Sequence, residues 1–303
     1  MSVEHKGAVH SREADIEDFL RALREFLLVN HANLLPLYDT FAQESRFARA
    51  WIAPSLVDLQ DGSEILEVGA GLMLLSCQLQ REGFFVTALE PIEGGFSMFS
   101  ELQGVVLQYA DKNGFAPRLF PIAAEELQTE KVFAFAYSVN VMEHVRSVPR
   151  ALERICRSLV VGGEYRFTCP NYYFPYEPHF NIPIILSKRI TKMVFSEAIL
   201  RSSRVTDPIG TWASLNWINV RQIQHIVDKT NGLTLRFDRD LIVHTLERVA
   251  LDPDFAKRRS AWVRAVIGTI VKLGIHRFTR FVPALLQPII DCRIKRHCLG
   301  KEC

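Results

Sequence analysis

The sequence predicts a doubly wound, mostly parallel α/β sheet, with helices before it and a helical extension after it. Three observations lead to this fold class. A short apolar strand runs into a glycine-bearing turn and a helix over residues 64–80, a second apolar run covers 84–89, and residues 132–139 are almost continuously apolar. Strands of this kind that alternate with helical patterns are typical of parallel sheets covered on both faces.

Two helical segments are predicted ahead of the first strand. Apolar residues recur at helical spacing over residues 11–30, and a less regular helical pattern rich in aromatic residues covers 35–57. We expect the aromatic side chains to pack in the core. A role of these helices in covering a ligand stays open.

The first strand ends in a turn that suits a nucleotide. Ile65, Leu66 and Val68 are apolar, and Gly69 and Gly71 follow where the chain must turn into a helix. Glycine lets the backbone approach a ligand closely, and the helix start offers unpaired N–H groups. Because the same motif serves dinucleotides, and many such turns bind nothing, the turn alone does not identify a ligand.

The second strand adds an acidic residue to this turn. It ends at Glu90, and an acid about 20 residues after the turn accepts hydrogen bonds from ribose hydroxyls. A helix over 96–102, an uncertain element at 105–109 and a short strand over 119–122 are predicted next. The two signals together favour a site for an adenosine-bearing cofactor.

The central strand at 132–139 ends at Asn140, and ligands of open α/β sheets bind beyond such strand ends. A helix is predicted to follow through Leu159, closed by the pair Gly162 and Gly163, with a strand over 164–169 after it.

These motifs together carry a resemblance to a known family. ILEVGAG, ALEP, AAEEL, NVMEHV, the Gly162–Gly163 pair and CPN follow one another over roughly residues 60–172. In this order they resemble class I S-adenosylmethionine (SAM) dependent methyltransferases. The sequence departs from the family pattern at Met73, which replaces a glycine, at Ala134, which replaces an acid, and at Val161, which replaces a proline.

The resemblance implies a Rossmann-like methyltransferase fold, SAM as the cofactor and a set of cofactor-binding residues. Glu125 is expected to meet the adenine amino group, with Glu126 as the alternative, and Asn140 to face the methionine portion. The full expected set is Glu67, Gly69, Gly71, Glu90, Ala124, Glu125 and Asn140.

The stretch after the fifth strand, residues 170–183, combines four prolines with several aromatic residues around Glu177 and His179. This composition predicts a rigid loop rather than a helix or strand. His179 is the candidate base for an acceptor hydroxyl, with Glu177 orienting it; alternatively both pin the loop. No metal is expected, because a carboxylate-rich spacing is absent; a site of these two residues with Glu143 and His144 was the minor alternative.

The C-terminal segment is basic and amphipathic. Between residues 255 and 303 there are eleven Lys and Arg against two acids, interleaved with apolar residues. Charges interrupt every apolar run well short of the roughly 20 residues that a membrane-spanning helix needs. Such a segment lies on an anionic membrane surface or caps the domain as a helix pair, and both alternatives stay open.

We therefore predict three segments: an N-terminal helical cap (1–60), a SAM-binding domain (61–250) with an acceptor-side insertion at about 172–230, and the basic extension (251–303). A late strand pair is expected over 233–243.

Composition narrows the function further. The net charge of +2 gives no argument for nucleic acid. Six cysteines without a CxxC pair predict reduced thiols in a cytoplasmic protein, peripheral at the inner membrane face if the extension binds lipid. The family resemblance implies the function: methyl transfer from SAM to a small or amphiphilic acceptor, lipid-linked ones included, at oxygen. A catalytically silent SAM-fold scaffold and a nicotinamide-dependent oxidoreductase are the alternatives; oligomeric state is not indicated.

Overall fold

The computed structural model describes residues 15–91, 97–256 and 261–298. These residues fall into two compact units. Unit 1 comprises the described parts of Met1–Val139, Arg150–Arg166 and Arg296–Cys303, and unit 2 comprises Asn140–Pro149 and Phe167–Lys295. The three-segment division expected from the sequence stays a prediction.

After two N-terminal helices, strands and helices are interspersed along the chain. The helices are α1 (Ile16–Asn30), α2 (Leu35–Leu56), α3 (Leu74–Arg81), α4 (Met98–Lys112), α5 (Val148–Ser158), α6 (Lys188–Val194), α7 (Ser196–Leu200), α8 (Pro208–Ser214), α9 (Val220–Asp228), α10 (Leu241–Leu251), α11 (Pro253–Ala256) and α12 (Ala261–Lys272). The strands are β1 (Glu64–Val68), β2 (Phe85–Leu89), β3 (Arg118–Phe120), β4 (Phe133–Val139), β5 (Leu159–Pro170), β6 (Tyr176–Glu177), β7 (Ile182–Pro183), β8 (Leu233–Asp238) and β9 (Ile289–Arg296). Short 3₁₀ turns cover Ala32–Leu34, Ala124–Glu126, Ile275–Phe281 and Ala284–Leu286.

Within the described ranges, seven strands form one sheet in the order β3-β2-β1-β4-β5-β9-β8. β1 pairs in parallel with β2 and with β4, and β2 pairs in parallel with β3. Parallel pairing requires a crossover between successive strands, which α3 and α4 supply. The predicted doubly wound α/β fold is confirmed.

The predicted first helix is α1. Its N-cap is Asp15, whose side chain accepts a hydrogen bond from the Glu17 backbone N–H at 3.0 Å. The apolar face of α1 is buried in a core cluster of unit 1 that also receives residues of α2, α3 and α4. The buried Tyr38 hydroxyl of α2 donates to the Leu20 carbonyl oxygen at 2.6 Å. Both N-terminal helices therefore belong to the packed core of unit 1.

Two helices predicted in unit 1 are present with different extents: the one at 96–102 is longer, and the one expected to run through Leu159 is shorter. The helix at 96–102 and the uncertain element after it are one helix, α4, capped by Ser97 and continuous through Gly104. A mid-helix glycine costs only about 1 kcal/mol, which the buried apolar side chains of α4 offset. Leu159 begins β5 instead of continuing the preceding helix.

The pair Gly162 and Gly163 lies inside β5 and does not close a helix. Gly162 has a φ of +85°, in the left-handed region that glycine favours. A Cβ on Gly163 would lie 3.0 Å from the backbone oxygens of Phe133 and Val160. Close approach of backbone to backbone is therefore the reason for glycine here.

The predicted late strand pair was half wrong. Residues 233–238 form β8, but 241–243 begin α10. The second strand is β9, from the segment expected to be a helical extension. In β9 the apolar residues alternate with polar ones, and Ile290, Cys292 and Ile294 are fully buried, so burial of one face favours a strand there.

Two smaller differences concern the loop after β5 and the cysteines. The proline-rich stretch 170–183 contains a short antiparallel ribbon, β6 with β7, where only irregular loop was expected. Cys77, Cys156, Cys169 and Cys292 are free and buried, as predicted, whereas Cys298 is disulfide-bonded. In the described residues no helix combines the length and apolar character that crossing a bilayer requires.

Candidate functional site

The predicted glycine turn joins β1 to α3 in unit 1. Gly69 and Gly71 have φ values of 71° and 53°, and Met73, at the N-cap of α3, has a φ of 63°. Met73 thus adopts the conformation that the family's usual glycine favours, at a cost of about 1 kcal/mol for a side chain. The Gly69 and Ala70 amides both donate to the Leu89 carbonyl oxygen, at 2.8 and 3.0 Å, which ties the turn to the end of β2.

Glu90 lies directly against this turn, as the sequence indicated. One of its carboxylate oxygens accepts a hydrogen bond from the Gly71 backbone N–H at 2.7 Å. The side chain is half-buried. The structure therefore brings together the glycine bend and the carboxylate on which the predicted adenosine site depends.

Residues that sequence reasoning missed also contact the turn, from α4. The Gln103 side-chain amide donates to the Gly71 carbonyl oxygen at 2.6 Å. The Phe99 ring tip lies 3.8 Å from the point where a Cβ on Gly71 would stand. The position of Gln103 one helical turn after Phe99 places both on one face of α4. No motif in the sequence marks them.

Glu67 is buried below the turn, where its carboxylate accepts a hydrogen bond from the Ser76 hydroxyl of α3. Burial raises the pKa of Glu67 to about 7, although the Ser76 hydrogen bond opposes the shift. In the described structure Glu67 thus supports the turn by joining β1 to α3. Direct contact with a cofactor stays a prediction for this residue.

Ala124 and Glu125 lie in the 3₁₀ turn after β3, and both are buried. The Arg150 side chain donates to the Glu125 carbonyl oxygen at 3.2 Å. Asn140 directly follows β4, is exposed and has a φ of 56°. Its backbone N–H donates to the Thr168 carbonyl oxygen at 2.8 Å. A positive φ outside glycine is most common for Asn, and it marks a sharp turn at the end of this strand.

The loop of unit 2 after β5 is organised around the Glu177 carboxylate, which is fully buried. One oxygen accepts hydrogen bonds from His179 Nδ1 at 2.6 Å, from the His179 backbone N–H and from the Tyr172 hydroxyl, both at 3.2 Å. The other oxygen accepts from the Phe180 backbone N–H at 2.7 Å. The Glu177 carboxylate thus accepts hydrogen bonds from four donors, and hydrogen bonds to a charged acceptor are among the strong ones. Glu177 therefore both pins the loop and orients His179.

The His179 ring has a defined hydrogen-bonding state because its Nδ1 faces the Glu177 carboxylate. Nδ1 carries the proton, so that Nε2 has a lone pair to offer. Burial lowers the pKa of His179, but the hydrogen bond and charge of Glu177 outweigh burial and raise it above its ordinary value. The His144 ring packs edge-on against the His179 ring, with 5.3 Å between centroids.

Glu143 and His144 lie in the turn between β4 and α5, where the sequence pattern NVMEHV had placed them. Burial raises the pKa of Glu143 to about 7. Burial, together with the charge of His179, lowers the pKa of His144 to about 4. His144 Nδ1 is 2.8 Å from the Ser214 hydroxyl oxygen of α8.

Asn216 holds this turn and was not predicted. Its side-chain amide donates to the carbonyl oxygens of Met142 and Val145, at 2.7 and 2.8 Å, and its backbone N–H donates to the Glu143 carbonyl oxygen at 2.8 Å. Because Asn216 is remote in sequence, its role could not be found without the fold. A cleft of about 730 Å³ elsewhere in unit 2, between α9 and β8, is lined by none of the predicted site residues.

Comparison with known proteins decides the family. A family model described as a methyltransferase domain matches residues 38–234, about two thirds of the chain. The chain belongs to this family. The predicted class, a SAM-dependent methyltransferase with enzymatic activity and SAM as cofactor, is confirmed at this level, and the silent-scaffold alternative is not favoured.

Individual relatives of this methyltransferase are similar over different lengths. An uncharacterized protein of Mycobacterium tuberculosis is 44% identical over 283 residues, covering 93% of this chain and 96% of that protein. The ubiquinone biosynthesis O-methyltransferase of Rickettsia felis is 33% identical over 100 residues, which are 33% of this chain and 38% of that enzyme. A solved geranyl diphosphate methyltransferase, in complex with GPP and sinefungin, has a TM-score of 0.50 and 13% identity over 86% of this chain and 80% of its own. The similarity to the geranyl diphosphate methyltransferase shows the fold alone.

Proposed function

We propose that this methyltransferase transfers the methyl group of SAM to a hydroxyl oxygen of a small or amphiphilic acceptor. The observation that carries the proposal is the Glu177–His179 pair, in which a buried carboxylate holds Nδ1–H at 2.6 Å and leaves Nε2 as a proton acceptor. The name of the Rickettsia felis relative, an O-methyltransferase, supports oxygen as the methylated atom.

In this proposal the glycine turn and its neighbours bind SAM. Glu90 accepts hydrogen bonds from the ribose hydroxyls, the backbone at Gly69 and Gly71 approaches the cofactor, and Glu67 keeps the turn in place. Ala124 and Glu125 adjoin the adenine, and Asn140 faces the methionine portion. The contact between the Gly71 amide and the Glu90 carboxylate supports this assignment, because it places both groups at one point of the turn.

Methyl transfer from a sulfonium is an in-line displacement, so the enzyme must bring the acceptor oxygen to the methyl carbon and exclude water. Bound SAM would supply the methyl group and would leave as S-adenosylhomocysteine, and His179 Nε2 would take the proton of the acceptor hydroxyl. Glu177 keeps its hydrogen bond to Nδ1–H throughout and stabilises the imidazolium that results. Its four donors keep the carboxylate in one position while this happens.

The test is methyl transfer from isotopically labelled SAM into fractionated cell extracts, with wild-type protein and two variants. We expect His179→Gln to lower the rate roughly 10²- to 10⁴-fold, the usual contribution of a general base, with an unchanged Kd for SAM. The matched control is His225→Gln, an exposed histidine of α9. Turnover by His179→Gln at the wild-type rate contradicts the base assignment.

A second experiment tests the cofactor site by calorimetric titration with SAM, S-adenosylhomocysteine and NAD. Wild-type protein is expected to bind the first two and not NAD. Glu90→Ala removes charge-assisted hydrogen bonds worth about 1.5–3 kcal/mol, so that the Kd for SAM rises roughly 10- to 100-fold. Unchanged SAM affinity in this variant rules out Glu90 as the ribose acceptor, and binding of NAD alone rules out the methyltransferase site.

An exposed surface of unit 2 supports a second part of the proposal, peripheral binding to an anionic membrane. Leu273, Phe278 and Phe281 are 67%, 68% and 70% exposed. Phe278 and Phe281 are three residues apart in a 3₁₀ turn, with ring centroids 6.3 Å apart, so they point the same way. Lys272 and Arg277 adjoin them in sequence. Apolar side chains flanked by basic ones suit an acyl–headgroup boundary with anionic lipids.

Sedimentation with liposomes tests the membrane proposal. The double variant Phe278→Ser, Phe281→Ser is expected to bind vesicles of anionic lipid at least about tenfold more weakly, since each buried aromatic side chain contributes about 1.5–3 kcal/mol. Substitution is preferable to truncation, which deletes β9. The control is Val29→Ser, an exposed apolar residue of α1. Equal binding of wild-type and double variant contradicts the proposal.

A further inference from the structure

Three side chains of unit 2 come together at one point: Glu143, His144 and His179. One ligand atom from each lies within 4.8 Å of those of the other two, and His144 Nε2 is 4.0 Å from a Glu143 carboxylate oxygen. Two ligands about 2.1 Å from a shared ion lie roughly 3.4 Å apart. Small rotations of two rings and a carboxylate are therefore enough to enclose an ion.

The Glu143 carboxylate gives an independent reason to place a cation here. Its side chain is 0% exposed, and within the described residues neither oxygen has a hydrogen-bond partner. Leaving a buried polar group without a partner costs about 1–3 kcal/mol, and more when the group is charged. Glu177, in the same unit, shows the usual solution with four donors. A carboxylate that is buried and has none of these donors is typical of a metal ligand.

In the neutral form of each histidine, the hydrogen bond made by Nδ1 leaves Nε2 unprotonated, and this is the tautomer that binds a metal through Nε2. The Ser214 hydroxyl donates to the Thr211 carbonyl oxygen at 2.9 Å, so its oxygen accepts from His144 Nδ1–H. His179 Nδ1–H is likewise donated, to Glu177. Metal-binding histidines almost always donate the other ring N–H to an oxygen acceptor, such as a carboxylate, a backbone carbonyl or water, which fixes the ring and its tautomer. Both rings show this arrangement.

We propose that Glu143, His144 and His179 bind a divalent transition-metal ion, of the Zn²⁺ or Mn²⁺ class. Two imidazoles and a carboxylate suit such ions, and three protein ligands leave positions for an exogenous oxygen. The histidine side chains are 34% and 22% exposed while Glu143 is buried, so the open positions face solvent. The proposal departs from the expectation of no metal that the sequence supported.

The ion has a role that rests on the proposed function, because it binds and polarises the acceptor hydroxyl. A bound divalent ion lowers the pKa of a coordinated hydroxyl, whose proton then leaves to water before the oxygen attacks the methyl carbon. Because the single lone pair of His179 Nε2 cannot bind the ion and accept the proton at the same time, the ion replaces His179 as the group that activates the hydroxyl in the metal-bound protein. His144 distinguishes activation of the hydroxyl by the ion from activation by His179 as a base, because His144 contributes only to metal binding.

Metal binding is tested directly on the full-length protein by calorimetric titration with Zn²⁺ and by the visible absorption of bound Co²⁺. We expect one ion per chain in the wild type. Loss of a residue that only hydrogen-bonds to a metal ligand usually costs 10–100-fold in metal affinity. His144 and Glu143 are direct ligands in this proposal, so His144→Ala and Glu143→Gln should each lower the affinity at least about 100-fold. His225→Ala is the control and should bind as wild type. No binding by the wild type, or wild-type affinity in both ligand variants, overturns the proposal.

Activity separates this proposal from the methyltransferase function. The protein is treated with EDTA, assayed with labelled SAM on the acceptor fraction, and assayed again after addition of Mn²⁺ or Zn²⁺. SAM affinity is measured on the same samples to show that the fold and cofactor site are intact. Loss of turnover with EDTA and recovery with metal support the ion's role. Full activity in EDTA, or in His144→Ala, overturns that role and leaves methyl transfer with His179 as base standing.

Discussion

The buried carboxylate of Glu67 makes the stability of the protein depend on pH in a way that one substitution should remove. The pKa of Glu67 is raised from 4.5 to about 7, chiefly by burial. Between these two values the folded state binds more protons than the unfolded state, so the free energy of unfolding falls as pH rises. At about 1.4 kcal/mol per pKa unit, the loss amounts to about 3 kcal/mol and is complete above pH 7.

Glu67→Gln keeps the shape and the oxygen that accepts from Ser76 but has no charge to bury. The amide's unpaired N–H groups lower the free energy of unfolding by a similar amount at every pH. The informative quantity is therefore the free energy of unfolding of the variant minus that of the wild type, compared between two pH values. Relative to wild type, we expect the variant to gain about 3 kcal/mol between pH 4.5 and pH 8.

Urea unfolding of the SAM-free protein at both pH values measures this difference, with fluorescence and far-UV circular dichroism as independent probes. Glu25→Gln is the matched control, because it removes one carboxylate from an exposed position of α1. A variant-minus-wild-type difference that stays the same at pH 4.5 and pH 8, or that matches the control, would show that Glu67 is not held in an environment that disfavours its charge.

Two further predictions concern positions where backbone contacts decide the outcome. Gly163→Ala should lower the free energy of unfolding by about 1–3 kcal/mol, since the new Cβ meets the backbone oxygens of Phe133 and Val160 at 3.0 Å; urea unfolding at the wild-type level contradicts the close approach. Asn216→Ala should cost about 2 kcal/mol, because it leaves two carbonyl oxygens of the 140–149 segment without their donor. The same measurement checks it, and a change below about 0.5 kcal/mol would show that this contact is not needed.

The parts of the fold that sequence predicted well are those with long, uniform local patterns. β4 is a seven-residue apolar strand, and α1 has a continuous apolar face with an N-cap at its start. The β1 turn was found because two glycines directly follow a short apolar strand. In each case the signal lies within a short stretch of chain, so no knowledge of distant partners was needed.

The elements that failed are those whose state depends on distant residues. Gly163 was assigned to a helix end because glycine is common there, whereas the fold uses it to bring β5 close to β4 backbone oxygens. β9 had an alternating pattern of its own, but the basic character of the tail favoured a helical extension. A strand is stabilised by its neighbours in the sheet, and those neighbours are not adjacent in sequence.

The candidate site divides in the same way. The contact between the glycine turn and Glu90 was predictable, because both lie at the carboxyl ends of neighbouring strands. The meeting of Glu143 and His144 with His179 could be raised from the sequence only as a minor alternative, because 34 residues separate the two histidines and a loop carries His179. The four donors on Glu177 could not be counted from the sequence either.

Two buried glutamates of unit 2 show why their surroundings matter more than their burial. Both Glu177 and Glu143 are 0% exposed, so each has lost the hydration of its charge. Glu177 recovers that loss through hydrogen bonds from its own loop, which explains its presence with no ligand at all. Glu143 has no such donors in the described structure, and the proposed cation would supply the partner that its carboxylate has not got. The hydrogen bonds of its own loop thus account for a buried carboxylate at 177, whereas at 143 the metal proposal offers the account.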